Sequence, residues 1–322
     1  MTKFAVVGTD HLHVVELVSG LLEAGAELTA IAATEDRIGP WLASQHEGAR
    51  TVPDLDAALE GVDVVVTAAI PGDRAEIGER SMRAGKRVLA DKPGVTSVEQ
   101  LDALRRAHAE TGQTYTVLYS ERLTTTAMVR AQELVAAGRI GTVIHTVGLG
   151  PHTLNLKQRP EWFFDPARYG GILVDIGSHQ VDQFLSFTGT AHAEVLASTI
   201  RSHPEHPGVE VLGEMLLAAD GATGYARVDY FTPKGLAPAW GDVRFTVVGT
   251  DGYLEVRHVE QTVTVVDGEQ REVVDCTGET AGWGARYLAG TLFDQEHVFA
   301  VSALCLEAQR HARRVEAGTQ AG

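Results

Sequence analysis

Hydrophobic positions in the first third of the chain fall into short solid runs, at 4–7, 28–33, 51–52, 62–68, 87–90 and 115–118. The stretches between them carry apolar residues at helical spacing instead. In 11–24 these are Leu12, Val15, Leu17, Val18, Leu21 and Leu22, with Gly25 as the stop. Segments 41–45, 55–59, 75–84 and 98–108 repeat the pattern. Asp54 and Ser97 are placed to cap two of these helices, and Gly112 follows the second of them. Val64, Val65 and Val66 are apolar on both faces, as in a strand covered on both sides. Such strand–helix alternation predicts an α/β, Rossmann-type domain with a doubly wound parallel sheet over residues 1–120.

The pattern changes afterwards. A helix is expected over 123–137 and a strand over 142–149. An irregular stretch over 151–164 holds His152, Lys157, Arg159 and Trp162. A long stretch of this kind is often functional, and it is expected to line a substrate cleft. An apolar run carrying Asp175 and His179 predicts a helix over 175–187. Period-two strands follow at 193–200, 209–218, 222–231, 242–248, 253–257, 262–266 and 272–275, separated by turns such as Asp220-Gly221 and Asp267-Gly268. Helices are expected at 281–289 and 295–317. Residues 121–322 are therefore expected to form an α+β domain whose large, mainly antiparallel sheet has helices on one face and an open face on the other.

Composition narrows the function. The chain has 322 residues and a net charge of -16, which disfavours nucleic acid and anionic membranes as partners. No apolar run approaches the roughly 18 residues of a membrane span. The start of the chain lacks the features of a signal peptide. Cys276 and Cys305 are the only cysteines, too few for a disulfide framework or a thiolate metal site. A cytoplasmic protein is expected.

A doubly wound sheet binds ligands beyond the carboxyl ends of its strands. The loops there hold Gly8, residues 34–37, residues 69–72 and Asp91-Lys92-Pro93. The first turn, Gly8-Thr9-Asp10-His11-Leu12-His13, keeps only the first glycine of the dinucleotide fingerprint. Its helix N-terminus still offers N–H donors, and Asp10, His11 and Leu12 stand where a pyrophosphate would lie. Asp10 either points away or caps the helix, and His11-Leu12-His13 with Asp10 is also a short metal-like cluster, although no metal site is assigned. After the second strand, Thr34, Glu35 and Asp36 offer oxygens to ribose hydroxyls, favouring NAD, while Arg37 suits the 2′-phosphate of NADP. Ala69 and Pro71 complete the expected cofactor contacts with Asp91 and Lys92. Asp175 and His179 share one helix face and could act as an acid/base pair; a first-turn charge and a core histidine would show the same spacing.

The parallel-sheet pattern, Lys92-Pro93 and Gly170-Gly171-x3-Asp175-x3-His179 together resemble the Gfo/Idh/MocA oxidoreductases (glucose–fructose oxidoreductase, inositol dehydrogenase, rhizopine catabolism). The resemblance spans nearly the whole chain, including residues 161–165 and 248–252. It implies an NAD(P)-dependent dehydrogenase acting on a secondary alcohol of a sugar, cyclitol or related polyol. It further implies Lys92 as catalytic lysine, Asp175 and His179 beside the substrate hydroxyl, and a site between the domains. Arg122 and Trp162 are further substrate-contact candidates, and the open sheet is expected to form a homodimer or homotetramer. Asp91 stands where the family commonly has Glu, and 70–75 keeps only Pro71 of the family's pattern. Two other classes share this scaffold: a non-catalytic sugar sensor, and a lyase or hydrolase using transient oxidation.

Overall fold

Strand β1 (Lys3–Val7) buries four of its five residues, and every residue of β4 (Val64–Thr67) is buried, as the solid apolar runs require. The computed structural model describes residues 1–33, 38–190, 192–236, 240–268, 270–292 and 294–316. In chain order the elements are β1, α1 (Val14–Glu23), β2 (Glu27–Ala32), α2 (Ile38–Gln45), β3 (Arg50–Thr51), α3 (Leu55–Ala58), β4, α4 (Pro71–Arg83), β5 (Arg87–Asp91), α5 (Val98–Thr111) and β6 (Tyr115–Leu118). Next come α6 (Ser120–Leu123), α7 (Thr126–Ala136), β7 (Val143–Pro151), α8 (Pro166–Tyr169), α9 (Ile172–Asp175) and α10 (Gly177–Thr188). The chain continues through β8 (Ala193–Ser202), β9 (Glu210–Ala219), β10 (Ala222–Asp229), β11 (Arg244–Gly249), β12 (Gly252–Arg257), β13 (Thr262–Asp267) and β14 (Gln270–Asp275). It closes with α11 (Trp283–Leu288), α12 (Gln295–His311) and β15 (Arg313–Arg314). Among the described residues no helix is long and apolar enough to cross a membrane.

Two compact units are formed. The first comprises Met1–Leu118, Ala167–Gly170 and Gly282–Ser302. Its six strands are parallel in the order β3-β2-β1-β4-β5-β6. The order reverses between β1 and β4, which opens a crevice at their carboxyl ends. Helix α5 starts where the sequence places it: Ser97 Oγ accepts from the Gln100 amide at 3.3 Å, while Gln100 Oε1 accepts from the Thr96 amide at 2.7 Å. Helix α1 begins at Val14 rather than at His11, because residues 11–13 form a turn.

Residues 282–302 rejoin the first unit, a return that the expected boundary at residue 120 leaves out. The cause is packing. The Trp283 ring fills the space that a Cβ on Gly20 would occupy, at 2.1 Å. The Arg87 guanidinium lies 5.5 Å from the Tyr287 ring centre. Gln295 bonds both the amide and the carbonyl of Tyr115 in the edge strand β6.

The second unit comprises Tyr119–Pro166, Gly171–Ala281 and Ala303–Gly322. Its nine strands run in the order β14-β13-β12-β11-β7-β10-β9-β8-β15, antiparallel except at β7–β10 and β8–β15. One face is apolar: Phe245, Val247, Leu254, Val256, Val263 and Val265 pack on Ala127, Met128 and Ala131 of α7. Phe187 of α10 stacks on Phe245 with ring centres 5.2 Å apart. Gln180 of α10 presses close to β7: a Cβ at position 148 would lie 2.1 Å from its Oε1 and would displace that amide. The opposite face exposes Leu216 and Tyr253. The helix expected over 123–137 is α7, which starts at Thr126 after the separate short α6, and that over 295–317 ends at His311.

Candidate functional site

In the first unit the turn after β1 is built on Gly8. Its φ is +79°, and a Cβ would sit 2.4 Å from the Ala69 Cβ, so a side chain is excluded twice over. Gly8 donates its amide to Ala32 O at 3.0 Å and accepts from the Ala68 amide at 3.2 Å, tying β1 to both neighbours. The His11 amide donates to Ala68 O at 3.0 Å. Among the described residues the Leu12 and His13 amides donate to no protein acceptor. They lie at the N-terminal end of the ten-residue α1, whose N-cap is His13 without a side-chain cap, so Asp10 does not cap it.

The His11 and His13 side chains turn back onto Asp91 at the carboxyl end of β5. His11 Nδ1 is 2.8 Å from Oδ2, and His13 Nδ1 is 2.8 Å from Oδ1. The Lys92 amide donates to Oδ1 at 2.7 Å and Arg74 Nη2 to Oδ2 at 2.9 Å. Arg74 is wholly buried, and its remaining donors meet the carbonyls of Ala69, Asp91, Lys92 and Pro93. Burial pushes the Asp91 carboxyl up, but His13, Arg74 and His11 outweigh it and hold it well below the usual carboxylate range. A carboxylate accepts only, so both Nδ1 atoms carry the proton in these bonds. Burial, and then the neighbouring His13, lower the His11 pKa to about 4 against the opposing pull of Asp91.

Asp91, expected to touch a cofactor, thus spends its oxygens on holding the turn. His11, His13 and Asp91 also bring potential metal-ligand atoms within 4.8 Å of one another. Arg74 already sets a positive charge on that carboxylate, where a cation would have to compete. Lys92 is 5 % exposed and precedes a cis bond to Pro93. Ala69 is buried and Pro71 opens α4. Thr34, Glu35 and Arg37 lie outside the described residues. The close turn at Gly8, the open amides of Leu12 and His13, and two fixed imidazoles form a donor set that suits a dinucleotide diphosphate.

In the second unit, α9 ends at Asp175 and α10 begins at Gly177, joined by the αR residue Ile176 and a bond from the His179 amide to Ile176 O at 3.1 Å. Helical geometry persists through the junction, so Asp175 and His179 keep a shared face. Asp175 closes α9 rather than capping a helix start. Its Oδ2 accepts from Tyr230 Oη at 3.3 Å, and its carbonyl accepts from Ser178 Oγ at 2.9 Å. His179 is buried.

Around them lies a polar interior with few sequence signals. Glu121 is buried and accepts from Gln180 Nε2 at 2.8 Å and Gln183 Nε2 at 3.0 Å. His152 Nδ1 is 3.1 Å from Gly150 O, which fixes the proton on that nitrogen and leaves Nε2 4.0 Å from Glu121 Oε1. The His152 ring is tilted against Trp240, with centres 4.5 Å apart. Trp162 is buried beside Phe163. Arg122, expected to contact substrate, is buried and clamped to Asp182 through two bonds, Nε–Oδ2 at 2.6 Å and Nη2–Oδ1 at 2.7 Å. Its guanidinium is committed to tying α6 to α10. Arg74, Glu121 and Tyr230 were not singled out from the sequence, because a buried arginine or glutamate carries no local motif.

Residues 2–119 match the family profile described as the oxidoreductase family, NAD-binding Rossmann fold (GFO_IDH_MocA), and residues 128–255 match the GFO/IDH/MocA C-terminal domain. A crystal structure from Erwinia carotovora atroseptica described as an oxidoreductase is 35% identical, covers 98% of this chain and 100% of its own, and superposes with a TM-score of 0.93. A D-xylose dehydrogenase from Paenarthrobacter nicotinovorans is 27% identical over 43% of this chain and 37% of its own length. The scyllo-inositol 2-dehydrogenase (NAD(+)) of Bacillus subtilis is 24% identical over 66% of this chain and 61% of its own. These curated relatives are matched over less than two thirds of their length.

Proposed function

Since this chain belongs to the Gfo/Idh/MocA oxidoreductases, we propose that it is an NAD(P)-dependent dehydrogenase interconverting a secondary alcohol and a ketone of a sugar, cyclitol or related polyol. The observation that carries this is Lys92, an almost fully buried lysine at the carboxyl end of β5 in a sheet whose first turn is furnished with N–H donors. Burying a lysine is costly, and its amine is a natural partner for a developing alkoxide.

The nicotinamide, when bound, supplies the hydride chemistry. The chain holds the dinucleotide through Gly8, the Leu12 and His13 amides and His11, with Thr34, Glu35 and Arg37 assigned to the ribose side. NAD is the favoured form because of Glu35 and Asp36. Lys92 donates a hydrogen bond to the reacting oxygen, and His179 takes the hydroxyl proton. Asp175, oriented by Tyr230, positions the alcohol. Trp162 belongs to the substrate loop. The exposed sheet face bearing Leu216 and Tyr253 is assigned to a homodimer or homotetramer contact.

The experiment is titration of the purified protein with NADH and NADPH, followed by a polyol panel read at the nicotinamide absorbance. Binding of one cofactor with turnover of a panel member is expected. Failure to bind either cofactor would refute the reading. Tight binding with no net redox change would move it to a lyase or hydrolase that oxidises transiently.

A further inference from the structure

Arg159, in the loop between β7 and α8, is held in place without a counter-charge. Its Nε donates to Leu154 O at 3.0 Å and its Nη2 to Thr153 O at 3.3 Å. Its Cζ lies 4.2 Å from the Phe163 ring centre and 5.4 Å from that of Tyr230. Two carbonyls and two rings therefore fix a half-buried guanidinium. Among the described residues no carboxylate pairs with it and Nη1 meets no acceptor. Several arginines of this unit are ion-paired, among them Arg122 with Asp182, Arg139 with Asp267 and Arg257 with Glu255, and others such as Arg201 are not among the described residues; Arg159 differs from the latter in being held by carbonyls and aromatic rings.

Position gives this held guanidinium its meaning. Tyr230 offers its ring to Arg159 and its hydroxyl to Asp175 Oδ2. The cation is thus one aromatic ring away from the carboxylate assigned to the reacting alcohol. In a chain of net charge -16, such a guanidinium is a local positive spot in a negative background. The in-plane donors at its Nη1 end match the geometry of a carboxylate or phosphate.

We propose that Arg159 recognises an anionic group on the substrate, so that this site takes a sugar or polyol bearing a carboxylate or phosphate rather than a neutral one. The inference rests on the assignment of Asp175 and His179 to the substrate. The anion seats on Arg159, and the hydroxyl to be oxidised lies toward Asp175.

The test uses the full chain saturated with its cofactor and follows binding by calorimetry. The ligands are hexoses, the corresponding uronic acids and the corresponding 6-phosphates. At least one acid or phosphate should bind about tenfold or more tightly than its neutral parent, the size expected for a charged hydrogen bond. The two anionic series decide between carboxylate and phosphate. Arg159→Gln should erase the difference while leaving the affinity of the neutral parent and the melting temperature unchanged, and Arg159→Lys should restore part of it. Neutral parents binding as well as every anion would overturn this proposal and leave the dehydrogenase reading intact. Equal weakening of both classes by Arg159→Gln would reduce the residue to a loop brace. Cofactor binding with no affinity for any panel member would overturn the anion proposal and leave the dehydrogenase reading to the wider polyol panel.

Discussion

Tyr230 Oη donates to Asp175 Oδ2 at 3.3 Å, joining the end of β10 to the last residue of α9. The bond fixes the orientation of the Asp175 carboxylate. Removing it should therefore change orientation more than fold. Tyr230→Phe keeps the ring under Arg159 and loses about 1 kcal/mol of hydrogen bonding, so turnover should fall roughly fivefold. The melting temperature should fall by no more than a few degrees. An unchanged kcat would separate Tyr230 from the reaction.

Lys92→Ala should lower turnover by about a hundredfold or more, the usual worth of a positioned proton-transfer or alkoxide-stabilising group. Its amide, which bonds Asp91, is retained, so the network on His11 and His13 survives. Dissociation constants for NADH measured by fluorescence should match those of the unaltered protein. Residual turnover near the original level would move the proton chemistry elsewhere.

The lowered His11 pKa has a pH signature. Unfolded, the imidazole titrates near 6.5; folded, it stays neutral down to about 4. Between these values the unfolded chain binds more protons, so stability contributed by neutral His11 is complete above pH 6.5 and is lost as pH falls toward 4. The full shift corresponds to roughly 3 kcal/mol. His11→Asn keeps a donor for Asp91 and does not titrate. Urea unfolding from pH 7 to pH 4 should show a shallower decline for this variant than for the unaltered protein. Parallel curves would mean that His11 is as easily protonated folded as unfolded.

The Arg122–Asp182 clamp is a stability element. Asp182→Ala strands a buried guanidinium and should cost about 3–5 kcal/mol in denaturant unfolding. Replacing both partners, as Arg122→Met with Asp182→Leu, should recover much of that loss. A double variant as unstable as the single one would show that the pair has further work in the fold.

Where backbone and solvent alone decide, the sequence was easy to interpret. The six parallel strands follow from runs such as Val64–Thr67 that are apolar on both faces, and the sheet of the second unit from alternation such as 253–257. Gly170-Gly171 and the four-residue spacing of Asp175 and His179 pointed to a shared face, which the helical junction at Ile176 preserves. Long-range pairing left no such trace. The expectation of Arg122 as a substrate contact takes no account of Asp182, sixty residues away, which holds its guanidinium. Asp91 looked like a ligand contact, yet its acceptors are filled by residues from three separate segments. The register of a salt bridge depends on tertiary packing, and one-dimensional periodicity carries none of it.

The seat of Trp283 on Gly20 bears on how the molecule is born. A ribosome delivers the six parallel strands first, but the indole that fills the gap over α1 emerges more than 260 residues after Gly20, and Gln295 reaches the edge strand β6 later still. The N-terminal unit therefore stays partly uncovered until residues 282–302 have emerged. A fragment ending at Leu118 should bind hydrophobic dyes and resist crystallisation, whereas adding residues 282–302 through a linker should quench the dye signal. Completion of the first unit is governed by a segment made long after its sheet.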